Sequence, residues 1–152
     1  MHDTQTMRTD EILLYFLTTI TLTIKIEHLA FWADNLEDLK NFYVKYFDMN
    51  CGKKYTNPQK QFTSYFLSFK GSETRIEIMK RPDILEHKHQ KGITNGLTHF
   101  AISVGSKEMV NSITEKLRAN KFIIQGEPRT TGDGYYESVV LDPEGNLIEI
   151  TE

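Results

Sequence analysis

Two histidines and two glutamates recur in this 152-residue chain at nearly equal spacing. His28 lies in the run Ile26 to Phe31, and His99 lies in the run Leu97 to Ile102, 71 positions later (99 − 28). Glu77 stands between Ile76 and Ile78, and Glu149 between Ile148 and Ile150, 72 positions later (149 − 77). A carboxylate placed in so apolar a strand costs roughly several kcal/mol unless it is paired or metal-bound. Two imidazoles and two carboxylates suit a divalent ion such as Ni, Zn, Co, Fe or Mn, with water completing five or six positions. Taken singly, each histidine reads as a hydrogen-bonded, half-buried residue and each glutamate as a solvent-facing one. All four at repeated positions favour a shared metal, with Glu77 and Glu149 also able to move a proton.

The elements that must position these residues repeat as well. Ile24 to Trp32 alternates and reads as a strand, with His28, Ala30 and Trp32 on one face. Asp34 or Asn35 caps a helix whose apolar positions are Leu36, Leu39, Phe42, Tyr43, Tyr46 and Phe47. Strands are expected near Lys53 to Thr56, over Phe62 to Phe69 and over Thr74 to Met79. After a polar connection the order restarts: strand Leu97 to Val104, helix Ser106 to Asn120, strand Phe122 to Gln125, a loop, strand Tyr135 to Leu141 and strand Leu147 to Thr151. Leu39, Phe42 and Tyr46 match Val110, Ile113 and Leu117 under the same shift of 71 (110 − 39). The fold class is therefore α+β, built from tandem βαβββ modules paired into a curved mixed sheet. Residues 1–22 form an N-terminal extension of unknown role; residues 23–152 form one domain, with module 1 at about 23–81, a connection at 82–96 and module 2 at about 97–152.

Composition narrows the function classes. A 39% hydrophobic, 26% charged chain is ordinary for a soluble globular protein, and a formal charge of −3 supplies no basic field for nucleic acid. Cys51 is the one cysteine, which excludes an intrachain disulfide and reads as a packing residue near a turn. The apolar run Glu11 to Ile24 is too short and too rich in threonine for a membrane span, and it lacks the cationic start and cleavage site of a signal peptide. These features predict a soluble, cytoplasmic protein with neither nucleic-acid nor membrane partners. His87 and His89 sit in a charged loop and read as solvated. Thr130 to Gly134 reads as a turn between strands flanked by Arg129, Tyr135 and Tyr136, and Asp142 to Asn146 as turn chemistry.

With these features in place, Ile24 to Thr151 resembles the vicinal oxygen chelate superfamily, which includes glyoxalase I, fosfomycin-resistance thiol transferases, bleomycin-binding proteins, extradiol dioxygenases and methylmalonyl-CoA epimerase. The resemblance implies His28, Glu77, His99 and Glu149 as metal ligands, the His, Glu, His, Glu set of glyoxalase I. It implies a lactoylglutathione lyase-like lyase or isomerase with a small-molecule substrate, in which the metal chelates two vicinal oxygens and stabilises an enediolate. Glu149 is then the first choice as base and Glu77 the second. A thiol transferase or dioxygenase of the same superfamily, or a binding or resistance protein, is the alternative. Trp32 and Arg81 stand where glutathione-using bacterial relatives resemble one another in having Arg and Asn, which points to a different thiol adduct or a thiol-free substrate. Trp32, Arg75, Arg81, Arg129 and Tyr135 are the candidate substrate contacts. The resemblance also implies a homodimer, with the metal site closed either within one chain or across a swapped pair.

Overall fold

The structure is a computed structural model and describes residues 24–85 and 91–152. The N-terminal extension and the pair His87 and His89 lie outside the described residues. Each module folds as a mixed sheet of its own with one helix laid against it.

In the first module, β1 (His28–Trp32) leads into α1 (Leu36–Phe47). Asn35 is the cap: its side chain accepts from the Asp38 amide at 3.2 Å, while Glu37 and Asp38 complement the positive end of the helix. The helix stops where Asp48 turns left-handed at φ 53°, its amide returning to the Tyr43 carbonyl. There follow β2 (Asn50–Cys51), β3 (Tyr55–Asn57), β4 (Phe62–Ser68) and β5 (Arg75–Lys80), in the order β1-β5-β4-β2 with β3 also on β4. Cys51, read as a packing residue, is exposed on the short β2.

The second module repeats the plan with β6 (His99–Ser103), α2 (Lys107–Ala119, capped by the Ser106 hydroxyl), β7 (Ile124–Thr130), β8 (Tyr136–Leu141) and β9 (Leu147–Thr151). Its order is β6-β9-β8-β7. Both modules pair first strand with last in parallel, and in the same register: His28 opposite Arg75 and Ala30 opposite Glu77, His99 opposite Leu147 and Ala101 opposite Glu149.

Two expectations are corrected. The first strand begins at His28 rather than Ile24; the residues before it are held instead by the Arg75 amide on the Glu27 carbonyl (2.9 Å) and the Thr74 hydroxyl on the Ile26 carbonyl (2.8 Å). The loop expected after Gln125 is a continuation of β7 to Thr130, with register shifts around Gly126 and before Arg129. Gly126 and Pro128 look like breakers, but β7 is an edge strand, where a bulge and a missing amide are tolerated.

Alternation then decides which side chains meet the helices. Ile76 and Ile78, with Tyr65 and Leu67, turn inward from the first sheet; Ile148 and Ile150, with Ile102 and Val140, turn inward from the second. Leu39, Phe42 and Tyr43 of α1 and Val110, Ile113 and Leu117 of α2 complete one continuous core. The modules meet through aromatic rings, with Phe42 and Phe122 centred 4.9 Å apart, Tyr46 and Phe122 5.2 Å, and Phe31 and Phe100 6.0 Å.

A polar lock joins them too. Buried Asp142 accepts from the amides of Glu144 (2.9 Å) and Asn146 (2.8 Å), from Asn146 Nδ2 (2.7 Å) and from the Tyr43 hydroxyl (2.9 Å) across the module boundary. Glu144 of the same turn accepts from the Asn35 amide at the start of α1, at 2.8 Å. No helix among the described residues is long and apolar enough to cross a membrane.

Candidate metal centre

The face of each sheet turned away from its helix carries the sequence-selected pair. His28 Nε2 lies 3.9 Å from Glu77 Oε2, and His99 Nε2 lies 3.2 Å from Glu149 Oε1. The parallel first–last pairing produces this directly, because it brings the acid alongside the residue two beyond the histidine. Both acids are largely shielded, with 16% and 20% of their side-chain surface exposed, while the histidines remain about two-fifths open at 39% and 40%.

The surroundings of the two pairs differ. His28 donates from Nδ1 to the Glu27 carboxylate, and its ring stands perpendicular to that of Phe66 with centroids 5.6 Å apart. Arg75 lies over the same Phe66 ring at 4.0 Å and is paired with Glu27, so it is not a free cation facing the site. Hydrogen bonds from His28 and then Arg75 hold the Glu27 carboxyl below its ordinary range. Neither partner has a counterpart in module 2, where Thr98 precedes His99 and Leu147 stands opposite it.

Module 2 has instead a third acid. Glu137, opposite Thr151 on β8, shares the open face with Glu149. Its carboxyl is pushed up by burial and by the charge of Glu149, against the pull of Arg129, whose guanidinium is 3.7 Å away. The sequence does not single out Glu137, which stands between Tyr136 and Ser138 and lacks the flanking isoleucines of Glu77 and Glu149; only its alternation with Val139 and Leu141 on the strand hints at this face. Thr151 Oγ1, beside it, is buried without a hydrogen-bond partner among the described residues.

The remaining sequence-selected residues lie elsewhere. Trp32 and Arg81 meet each other, the guanidinium 5.4 Å from the indole centroid, and Arg81 also pairs with Asp83. They line a cleft of about 650 Å³ that runs past Lys80, Lys91 and Leu97 to His99. Tyr135 is exposed at the turn between β7 and β8, where its carbonyl accepts from Thr131.

The donors suit a divalent ion. At ligand distances of ~2.1 Å, neighbouring ligand atoms stand roughly 3.0 Å apart in an octahedron and about 3.4 Å apart in a tetrahedron. The His99–Glu149 separation of 3.2 Å falls between these, and the His28–Glu77 separation of 3.9 Å needs a small side-chain adjustment. One pair alone, however, is two donors, fewer than the three or four a protein normally supplies. Among the described residues no group of three or more His, Cys, Asp or Glu is placed to hold one ion. The four residues thus stand as two pairs, each on its own sheet, and the sheets share no ladder.

A family profile described as the Glyoxalase/Bleomycin resistance protein/Dioxygenase superfamily matches residues 25–150. No curated protein matches the chain. Among solved structures it is similar to glyoxalase I from Zea mays, at 23% identity and a TM-score of 0.70 over 84% of this chain and 44% of that one. It is similar to the trypanothione-dependent glyoxalase I of Leishmania major at 23% identity and a TM-score of 0.68, over 86% of this chain and 87% of that one. A glyoxalase family protein from Enterococcus faecalis has 23% identity and a TM-score of 0.67, over 84% of this chain and 97% of that one. The chain spans less than half of the maize chain but most of the other two, and at this identity the likeness is one of fold.

Proposed function

Because this chain belongs to the glyoxalase/bleomycin resistance/dioxygenase superfamily, we propose that it is a divalent-metal-dependent lyase or isomerase of the glyoxalase I type, acting on a small oxygenated substrate at a site completed by a second copy. The observation that carries this reading is the pair of matched half-sites. Each offers one imidazole nitrogen and one carboxylate on an open sheet face, and neither is complete alone. A two-fold homodimer that sets His28 and Glu77 of one copy against His99 and Glu149 of the other makes two equivalent four-residue sites. An ion held there supplies Lewis-acid polarisation of two neighbouring substrate oxygens.

The chain's own residues do the rest. Glu149 takes a proton from a substrate carbon and returns it to the adjacent one, the role the superfamily resemblance assigns it. Val139, opposite Glu149, and Leu141 and Leu147 on the same face keep water from the carboxylate. Glu137 shares that face, its carboxyl raised by burial and by the charge of Glu149. Arg129 offers a cation at the rim for an anionic substrate group. With Trp32 stacked by Arg81 and Arg81 paired to Asp83, the substrate is read as thiol-free or as the adduct of a thiol other than glutathione.

Complementation tests the shared site. His28→Ala and His99→Ala each lose metal binding alone. After unfolding and refolding together in equal amounts, half the dimers are mixed, and each mixed dimer has one intact site, so about a quarter of wild-type capacity returns. A site closed within one chain restores none. Metal content of protein purified without added metal, and turnover of methylglyoxal with a panel of thiols, test the activity. Glu149→Gln that binds metal and turns over at the wild-type rate removes the base assignment.

A further inference from the structure

We infer that Glu27 is a positioning residue for His28, its carboxylate accepting the Nδ1 hydrogen and holding the ring so that the Nε2 lone pair faces Glu77. The inference rests on the metal-centre reading above and concerns how one half of that centre is set before any ion arrives. A carboxylate only accepts, so Nδ1 carries the hydrogen, and in the neutral ring Nε2 is then an acceptor. Glu77 Oε2 opposite it, at 3.9 Å, is an acceptor as well. Two electron-rich atoms face each other with no hydrogen between them, beyond hydrogen-bond reach, an arrangement that a cation satisfies.

Glu27 can reach this position because it precedes the first ladder residue of β1. Inside a strand, successive side chains point to opposite faces and a neighbour could not stand behind the histidine ring. Just outside it, the chain is held by the Arg75 amide on the Glu27 carbonyl at 2.9 Å. Arg75 then grips the Glu27 carboxylate while its guanidinium lies on Phe66 at 4.0 Å, the ring to which His28 stands perpendicular. Imidazole and guanidinium thus share one aromatic support, and both hold the Glu27 carboxylate. In module 2, Thr98 and Leu147 occupy the equivalent places, so the two halves of the centre are unequal: His28 is preset and His99 is not.

A carboxylate behind a metal-binding histidine typically contributes 10–100-fold in affinity. The test uses full-length, metal-free protein labelled with 15N at histidine, read by long-range proton–nitrogen correlation at pH 8. Wild-type His28 is expected as the Nδ1–H tautomer. Glu27→Ala is expected to return it towards the Nε2–H tautomer that histidine favours in water, with the His99 signals unchanged as the internal control for folding. Zn2+ affinity, measured by competition with a chromophoric chelator, is expected to fall by about 10–100-fold in Glu27→Ala. An Nε2–H tautomer in the wild type, a tautomer indifferent to Glu27→Ala, or unchanged Zn2+ affinity in that variant overturns the inference. Equal Zn2+ affinity in wild type and His28→Ala would instead refute the metal-centre reading, which the tautomer measurement alone does not touch.

Discussion

Replacing Tyr43 by Phe removes one atom from the boundary between the modules and leaves the ring in the core. No cavity opens, so the cost isolates the hydrogen bond to Asp142, 2.9 Å long and 99 residues distant in sequence. Asp142 is 4% exposed, and its carboxylate has four donors of which Tyr43 is the only one from module 1 among the described residues. A hydrogen bond to a charged group contributes about 1.5–3 kcal/mol, and leaving one acceptor site of a buried carboxylate dry falls in the same range. For a chain of this length that is a drop in Tm of roughly 3–12 °C.

The sign with pH follows from linkage. Burial raises the Asp142 pKa above its ordinary value, and the bond from Tyr43 pulls it part of the way back. A group whose folded pKa is raised favours the folded state most below its unfolded value and loses that contribution as pH rises through the folded pKa. Without Tyr43 the loss is larger, so the gap between wild type and variant is widest at neutral pH and narrows as acid protonates Asp142. The Tyr43 phenol, its own pKa pushed well up by burial, stays a donor throughout. Urea denaturation of both proteins at several pH values measures this. A variant within about 0.5 kcal/mol of wild type at pH 7, or a gap that does not change with pH, refutes the lock.

Two further perturbations probe other parts of the fold. Glu37 accepts from Lys40, Lys54 and Tyr65, which together lower its pKa to about 2, so its contribution is present above about 4.5 and is lost as pH falls towards 2. Because the side chain is 46% exposed, that contribution is discounted to on the order of 1 kcal/mol, and Glu37→Gln should flatten the acid limb of stability by that amount in melts between pH 5 and 2. Thr114 bridges the Val110 carbonyl and the Ser138 hydroxyl, each at 2.7 Å, in a fully buried setting. Thr114→Val keeps the volume but strands Ser138, costing about 1–3 kcal/mol, and adding Ser138→Ala should recover part of that loss in the same denaturation assay.

Sequence alone determined what periodicity and repetition can carry. Matched offsets exposed the duplication, and the two-residue period of a strand placed His28 with Ala30 and Glu77 with Met79 on one face. Helical spacing identified Leu39, Phe42, Val110, Ile113 and Leu117 as core before any coordinates were needed. These are local properties, set by backbone geometry within a single element. Tertiary structure decided how the elements stand to one another. The Phe42–Phe122 and Phe31–Phe100 contacts join residues with no shared spacing, and they hold together two separate sheets, each with its own His and Glu pair. The same holds for the Asp142 turn, legible as a turn but not as a bond to Tyr43. Glu27 escaped notice because alternation placed it opposite His28, and only the late start of β1 lets it stand behind the ring. The His and Glu pairs were written locally. Their division between two faces was decided by packing.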